Sequence, residues 1–449
     1  MNARRWLPRT DIVLAATAVA IVMNLWRVPE LIPPLAALRP TVLTLILAMV
    51  LYLLDRHPGR QLGTLRTPIT VPMMLFLALI VATIPFSLDP GFSTSYLFVE
   101  LIPRVLLTVL IIAVVRDRND LELLLLAVLV GGALYTVYAL VRIPLGPEGK
   151  WTALVDYDNN DFALIAISVL PLAVYFLRRD AGRVRRIAAL LSLLVLLAGI
   201  VRSGSRGGFI GLVAVVAYLA LRYRAVPARV RLAATIIGGL ALVGVAGAEL
   251  TATVDTVLHP QDDYNWTGGD YYGRIQLWKR GIQYMHERPL TGVGLSAFPI
   301  AEGELSDVAR ERMAHGLDVK QLVAHNMYVQ VGAELGLISL AIFVFLLWRT
   351  YRGLHGVRQL CQTDGAGRVP PEHALARVLT AALLGFCVSA IFIAAAYFTF
   401  LFVLFGFAGA LMKLAPAWAP AGDLVEPDPA IGYAESWAID TRTIQSGAS

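Results

Sequence analysis

The chain has 449 residues, 57% of them hydrophobic and 16% charged, with a mean hydropathy of +0.67. A soluble domain carries roughly 25% charged residues, so these values exclude a soluble enzyme, a disordered chain and a secreted disulfide scaffold. The formal charge is +6, from 38 basic and 32 acidic residues. The basic residues fall mainly in short loops between apolar segments, which argues for membrane topology and against nucleic acid.

Apolar stretches near 20 residues, the length that crosses a bilayer, recur along the chain and predict an all-α polytopic membrane protein. The first follows Arg4, Arg5 and Arg9 in the manner of a signal peptide. No convincing small-residue cleavage site follows, so it is read as an uncleaved span. About twelve spans are expected. They lie near 11–27, 32–54, 68–87, 97–115, 121–143, 161–177, 186–201, 207–222, 231–248, 325–348, 377–395 and 396–413. The last two are nearly continuous, so eleven or thirteen are the alternatives. The expected organisation is nine spans over 1–248, one large loop over 249–324 with short amphipathic helices, three spans over 325–413, and a flexible cytoplasmic tail over 414–449 rich in Pro, Ala and acidic residues.

Alternate loops carry Arg56, Arg60 and Arg66; Arg116 and Arg118; Arg178, Arg179, Arg183, Arg185 and Arg186; Arg222, Arg224, Arg229 and Arg231; and Arg349, Arg352, Arg358 and Arg368. The positive-inside rule makes this set cytoplasmic, with both termini inside and the loop over 249–324 outside. Cys361 and Cys387, the only cysteines, sit in a polar loop and an apolar segment, and no metal-type Cys/His spacing occurs.

Polar groups that break this pattern are the candidates for chemistry. Arg202 and Arg206 stand in RSGSRGG on the outer side, where short loops should lack arginine. Free N–H groups at the start of a helix, glycines that admit a ligand and a planar guanidinium fork all suit an anion. The alternative is an arginine reaching lipid headgroups. Arg274 begins a 271–286 stretch whose Ile275, Trp278, Ile282 and Met285 have helical spacing, with PLTGVG as the turn that ends it. Such a helix suits a membrane surface. Spacing alone favours a solvated basic face, with Arg274 as a second phosphate cation on the other reading.

His325 and Asn326 stand where the long loop re-enters the membrane. A helix dipole pushes such a histidine toward the neutral form that a general base needs. A capping or headgroup-contacting role is equally open. His259, His286 and His315 read as surface residues. DYDNND contributes Asp156, Asp158, Asn159, Asn160 and Asp161, suited to a helix cap with Asn160 or Asp161 near the N-cap, to sugar hydroxyls, or to a divalent cation at Asp156 and Asp158. Glu100 and Arg104, four apart, share a helical face and suit mutual pairing or an intramembrane function.

SGSRGGFIGL, RIQLWKRGIQYMHERPLTGVGLSAF and HNMYVQVGAELGLISL, in this order around one long outer loop, resemble the O-antigen ligase family, as does DNNDFALIAISVLPL. The wider superfamily includes O-antigen polymerases and bacterial protein O-oligosaccharyltransferases. The resemblance covers roughly 159–345. It implies a GT-C-like helical bundle with a periplasmic cap in the bacterial inner membrane and a metal-independent glycosyltransferase without cofactor. A glycan on undecaprenyl pyrophosphate would be moved onto lipid A–core oligosaccharide at the periplasmic face. It maps the functional histidine onto His325 and the arginines onto Arg206 and Arg274. Arg202, Asn326, Asn160 and Asp158 complete the expected substrate contacts. One base and one displacement predict inversion at the anomeric carbon. A transporter of lipid-linked glycan is the alternative of a different class, although its expected midplane charges and repeated halves are little in evidence.

Overall fold

The computed structural model describes residues 11–27, 34, 38–60, 65–146, 150–152, 154, 157–223, 226–233, 239, 273–361 and 369–418. Among them the regular structure is helical. The helices are α1 (Ile12–Leu25), α2 (Pro40–Leu54), α3 (Thr70–Thr83), α4 (Pro90–Tyr96), α5 (Ile102–Val114), α6 (Arg118–Arg142), α7 (Asn159–Phe176), α8 (Arg183–Ser203), α9 (Arg206–Arg222), α10 (Arg274–Glu287), α11 (Phe298–Glu304), α12 (Asp307–Ala314), α13 (Met327–Leu360), α14 (Pro371–Ser389) and α15 (Thr399–Leu414). A π-helical turn, Leu97–Leu101, joins α4 to α5.

Among the described residues, six segments are long and apolar enough to cross a membrane: Pro90–Val114, Arg118–Arg142, Asn159–Phe176, Arg183–Ser203, Met327–Leu360 and Pro371–Phe392. Ile12–Leu25, Pro40–Leu54, Thr70–Phe86 and Thr399–Leu414 are shorter apolar helices. Ten of the expected spans coincide with segments of this set and an eleventh, 207–222, with α9, although several are too short to qualify as crossings by length. The ninth, 231–248, lies largely outside the described residues, as do the first part of the long loop and the tail beyond residue 418.

Side-chain caps start many of these helices. Asp11 accepts from the Val13 and Leu14 amides, each at 3.1 Å, and Asp117 from Asp120 N at 2.9 Å. Such caps satisfy backbone donors that a helix start leaves unpaired. The helices then pack through small residues, which let backbones approach where apolar burial gives no net drive between helices in lipid. Gly199 faces Thr136 and Phe162, Gly208 faces Ala163, and Gly385 faces Val215. Helix α7, buried along nearly its whole length, packs against α6, α8, α9 and α14. Helix α8 instead turns Leu190, Leu191 and Leu194 outward.

The two ends of the bundle differ in chemistry. At one end buried Arg60 pairs with Asp11 at 2.5 Å and with Asp55, and its Nε donates to Val114 O at 3.0 Å. Arg116 pairs with Asp11 at 2.7 Å and Asp120 at 2.8 Å. Arg185 pairs with Glu122 at 2.5 Å, and Arg118 with Glu372 at 2.9 Å. These bonds gather the starts of α1, α6, α8 and α14 with the ends of α2 and α5. Arginines from three of the sequence's alternate basic loops therefore share one end. The starts of α7, α9, α13 and α15 form the other end, which carries the candidate site.

Residues 273–324 pack onto that other end. Gly336, at φ 81° and ψ 173°, interrupts α13. The 289–296 turn occupies the break: Leu337 N donates to Pro289 O at 2.7 Å, Val293 N to Ala333 O at 2.9 Å, and Gly294 N to Glu334 O at 2.8 Å. The Glu334 carboxylate, 1% exposed, accepts from Ser296 N at 3.1 Å and Phe298 N at 3.4 Å. A small second core of Leu277, Tyr284, Val293, Phe298 and Val329 lies beneath α10 and α11. Arg280 and Tyr284 both bond the buried Glu302 carboxylate, at 2.6 Å and 3.0 Å.

Candidate functional site

The site is built on helix starts. Asn326 is the N-cap of α13, its side chain accepting from Tyr328 N at 2.9 Å and Val329 N at 3.0 Å. His325 precedes it at φ 47°, left-handed backbone that a side-chain-bearing residue adopts at a cost on the order of 1–3 kcal/mol. The Trp278 indole of α10 donates to His325 O at 3.4 Å. Arg274 stands one turn earlier on the face of α10 that carries Trp278.

The His325 imidazole is therefore set among three elements. Burial holds its pKa below the ordinary value. The Arg274 guanidinium pushes it further down, and the Asp158 carboxylate pulls it up. The outcome favours the neutral ring, as expected from sequence, but the cause differs. Burial and a neighbouring cation act on a residue that lies outside the helix.

Asp158 is the N-cap of α7, a place expected for Asn160 or Asp161. Its Oδ1 accepts from Asn160 N at 2.6 Å and Asp161 N at 2.7 Å. Asn160 joins the neighbouring helix start through its Oδ1, which accepts the Ser205 hydroxyl at 2.8 Å. Ser205 in turn caps α9, accepting from Gly208 N at 3.0 Å, and Arg206 is the first residue of that helix. Arg202 lies in the last turn of α8, its carbonyl accepting from Trp151 N at 3.3 Å.

Phe392 links the two halves. Its ring centroid is 6.5 Å from that of Trp278, and a Cβ on Gly207 would lie 3.0 Å from the Phe392 side chain. The start of α9 thus abuts the aromatic pair that borders His325. The glycines after Arg206 have a role other than the expected ligand approach. Phe392, Ala163 and Ser389 fill the space a side chain would need at Gly207, Gly208 and Gly211.

Several site features were not singled out in the sequence. Ser205 is a cap, Phe392 an aromatic within an apolar run, and Glu334 one carboxylate in a helix whose partner turn lies some 40 residues earlier. Trp278 was expected on an apolar face with Ile282, yet Ile282 is 57% exposed while Leu277, Gly281 and Tyr284 are buried. His286 and His315 are exposed as expected, whereas His259 and Asp156 lie outside the described residues. Glu100 and Arg104 are paired at 2.5 Å. Among the described residues no group of three His, Cys, Asp or Glu side chains comes together as a metal site would require.

An apolar helical bundle with membrane-spanning segments and a polar rim of helix starts at one end defines a multi-pass membrane protein. Residues 190–344 match the family model described as O-Antigen ligase, the family its motifs resemble. The match runs from α8 to the middle of α13 and includes Arg202, Arg206, Arg274, His325 and Asn326. No curated protein matches the chain.

Proposed function

We propose that the protein transfers a glycan from undecaprenyl pyrophosphate to a hydroxyl of lipid A–core oligosaccharide at the periplasmic face of the bacterial inner membrane. The observation that carries this reading is the half-buried His325, its pKa lowered beside Arg274 and within the field of Asp158, inside the O-antigen ligase match. The orientation rests on the ion-paired arginine end, which the positive-inside rule makes cytoplasmic.

Neutral His325 takes the proton of the acceptor hydroxyl as general base. The freed oxygen attacks the anomeric carbon from the face opposite the leaving group. The bond from that carbon to the diphosphate oxygen breaks, and its electron pair leaves with the lipid diphosphate. One such displacement inverts the anomeric configuration. The leaving group is already a weak base, so it needs charge stabilisation more than a proton. Arg206 and Arg274 supply that as preorganised cations, assisted by the helix start at Arg206. Arg202 is a further outer-rim cation. Asn160, Asp158 and Asn326 border the acceptor, Asp158 also steadying the imidazolium that forms. This chemistry asks for no metal and no cofactor.

The left-handed backbone at His325 supports the assignment, because strain held in place by a cap and an indole bond is common where a side chain must be aimed. The test uses purified protein in proteoliposomes with lipid-linked glycan and lipid A–core, without ATP or an ion gradient. A covalent product that disappears in His325→Ala supports transfer. Movement of glycan across a membrane without product would mark the chain as a transporter. Product formed only between donor molecules would mark it as a polymerase.

A further inference from the structure

A cavity of about 350 Å³ lies in the bundle next to the His325 rim. Asp161 of α7 and Gln330 of α13 line it. Asp161 is three residues beyond Asp158 and Gln330 four beyond Asn326, so each stands about one helical turn further along its helix than the rim. The volume is that of a small-molecule site. The proposed transfer assigns none of these lining residues a role.

The lining decides what the cavity suits. Arg104 pairs with Glu100 at 2.5 Å, and its guanidinium lies 5.9 Å from the Tyr96 ring centre. Arg27 lies 5.8 Å from the Tyr157 ring centre. With Glu100 and Asp161 also facing inward, two arginines meet two carboxyl groups. An anion would have to approach both acidic groups. A polyprenyl tail would strip these polar groups of water and offer no hydrogen bond in return. A neutral polyhydroxylated ring fits both requirements. Its hydroxyls donate to carboxylates and accept from guanidinium groups, and they do either with phenol and amide groups.

Aromatic rings complete the lining. Tyr397 lines the cavity and is 2% exposed. Its hydroxyl is buried and bonds the Glu334 carboxylate, so it offers the cavity its ring. Its ring meets that of Tyr96 edge-on at 5.9 Å, giving an aromatic wall for the C–H faces of a sugar. Ala396 N donates to Gln330 Oε1 at 3.2 Å, which holds the 394–400 wall against α13.

We propose that this cavity is a saccharide subsite that holds one sugar ring, from the acceptor or from the donor glycan, next to the reacting hydroxyl. The assignment rests on the transfer reading for its choice of sugars.

Binding is measured on the full-length protein in nanodiscs with three probes: delipidated core oligosaccharide, a free repeat-unit oligosaccharide, and inorganic pyrophosphate. Tyr96→Phe removes one lining hydroxyl, which accepts from Arg104 Nη1 at 3.3 Å, and keeps the aromatic wall. Thr399→Val is a second, nearly isosteric change in the lining. One of the two oligosaccharides should bind, identifying the acceptor or the donor as the source. Each variant should weaken that binding about tenfold, the loss of one good hydrogen bond. The proposal is overturned if neither oligosaccharide binds, if both lining variants bind normally, or if pyrophosphate displaces the sugar. Covalent product is scored separately. Product with normal saccharide kinetics in both variants would sink the subsite alone. Sugar binding without any product would sink the transfer reading alone.

Discussion

Glu334→Ala tests whether the turn lodged in the α13 break holds the site together. In the unaltered protein this carboxylate accepts from Ser296 N and Phe298 N, at 3.1 Å and 3.4 Å, in a position 1% exposed. Alanine leaves both amides without an acceptor where water has little access. A buried donor left unpaired costs about 1–3 kcal/mol, so two cost about 2–6 kcal/mol of local stability. The lower figure corresponds to roughly a 30-fold rise in the opened population of the 289–298 turn. The same turn runs directly on from α10, which carries Arg274 and Trp278 toward His325. Hydrogen exchange over 289–298 should therefore accelerate by at least that factor, while amides of α6 and α7 remain protected. Transfer should fall in parallel, because Arg274 is no longer held against the imidazole. Unchanged exchange over 289–298, or accelerated exchange with undiminished transfer, would refute this account.

If His325 is the base, as proposed, the acid limb of the transfer rate should lie below the ordinary histidine range, because the imidazole must be neutral and its pKa is lowered. Activity is lost as pH falls through that value. Arg274→Gln removes the cation that lowers it and should move the limb to higher pH, whereas Asp158→Asn removes the opposing carboxylate and should move it lower. A pH–rate series on the three proteins checks the signs. Arg206→Ala should lower kcat/KM for the lipid-linked donor by roughly 10- to 100-fold, the worth of a hydrogen bond to a charged group. Steady-state kinetics with varied donor check this, and an unchanged kcat/KM would refute the phosphate role. Gly211→Leu should destabilise the bundle by about 1–3 kcal/mol through overpacking against Ser389. A thermal unfolding midpoint in detergent equal to that of the unaltered protein would contradict the close α9–α14 contact.

Much of the helical layout was readable from local pattern. Apolar runs bounded by arginine mark helices without reference to partners, whereas the caps at Asp11 and Asp117 emerged only in the structure. The hydrogen bonds that close a helix lie within the segment itself. His325 and Arg206 stand out as candidates because each is a polar group at an apolar boundary, whereas Arg274 becomes one only through the family resemblance. The amphipathic face of α10 was displaced in the sequence reading, since Ile282 and Leu277 are equally apolar and only the position of α13 selects Leu277 for burial.

Composition and local order alone determined a membrane-spanning helical chain with its arginines biased to alternate loops. Tertiary structure decided the neighbours of His325. Arg274 and Asp158 are 51 and 167 positions earlier in the chain, and their fields act on the imidazole only once α7, α10 and α13 are packed. It also decided that the Arg206 glycines serve packing and that Glu334 answers two amides of a distant turn. The physical reason is range: helix signals arise over a few residues, whereas burial and electrostatic coupling depend on distances that only the assembled bundle sets.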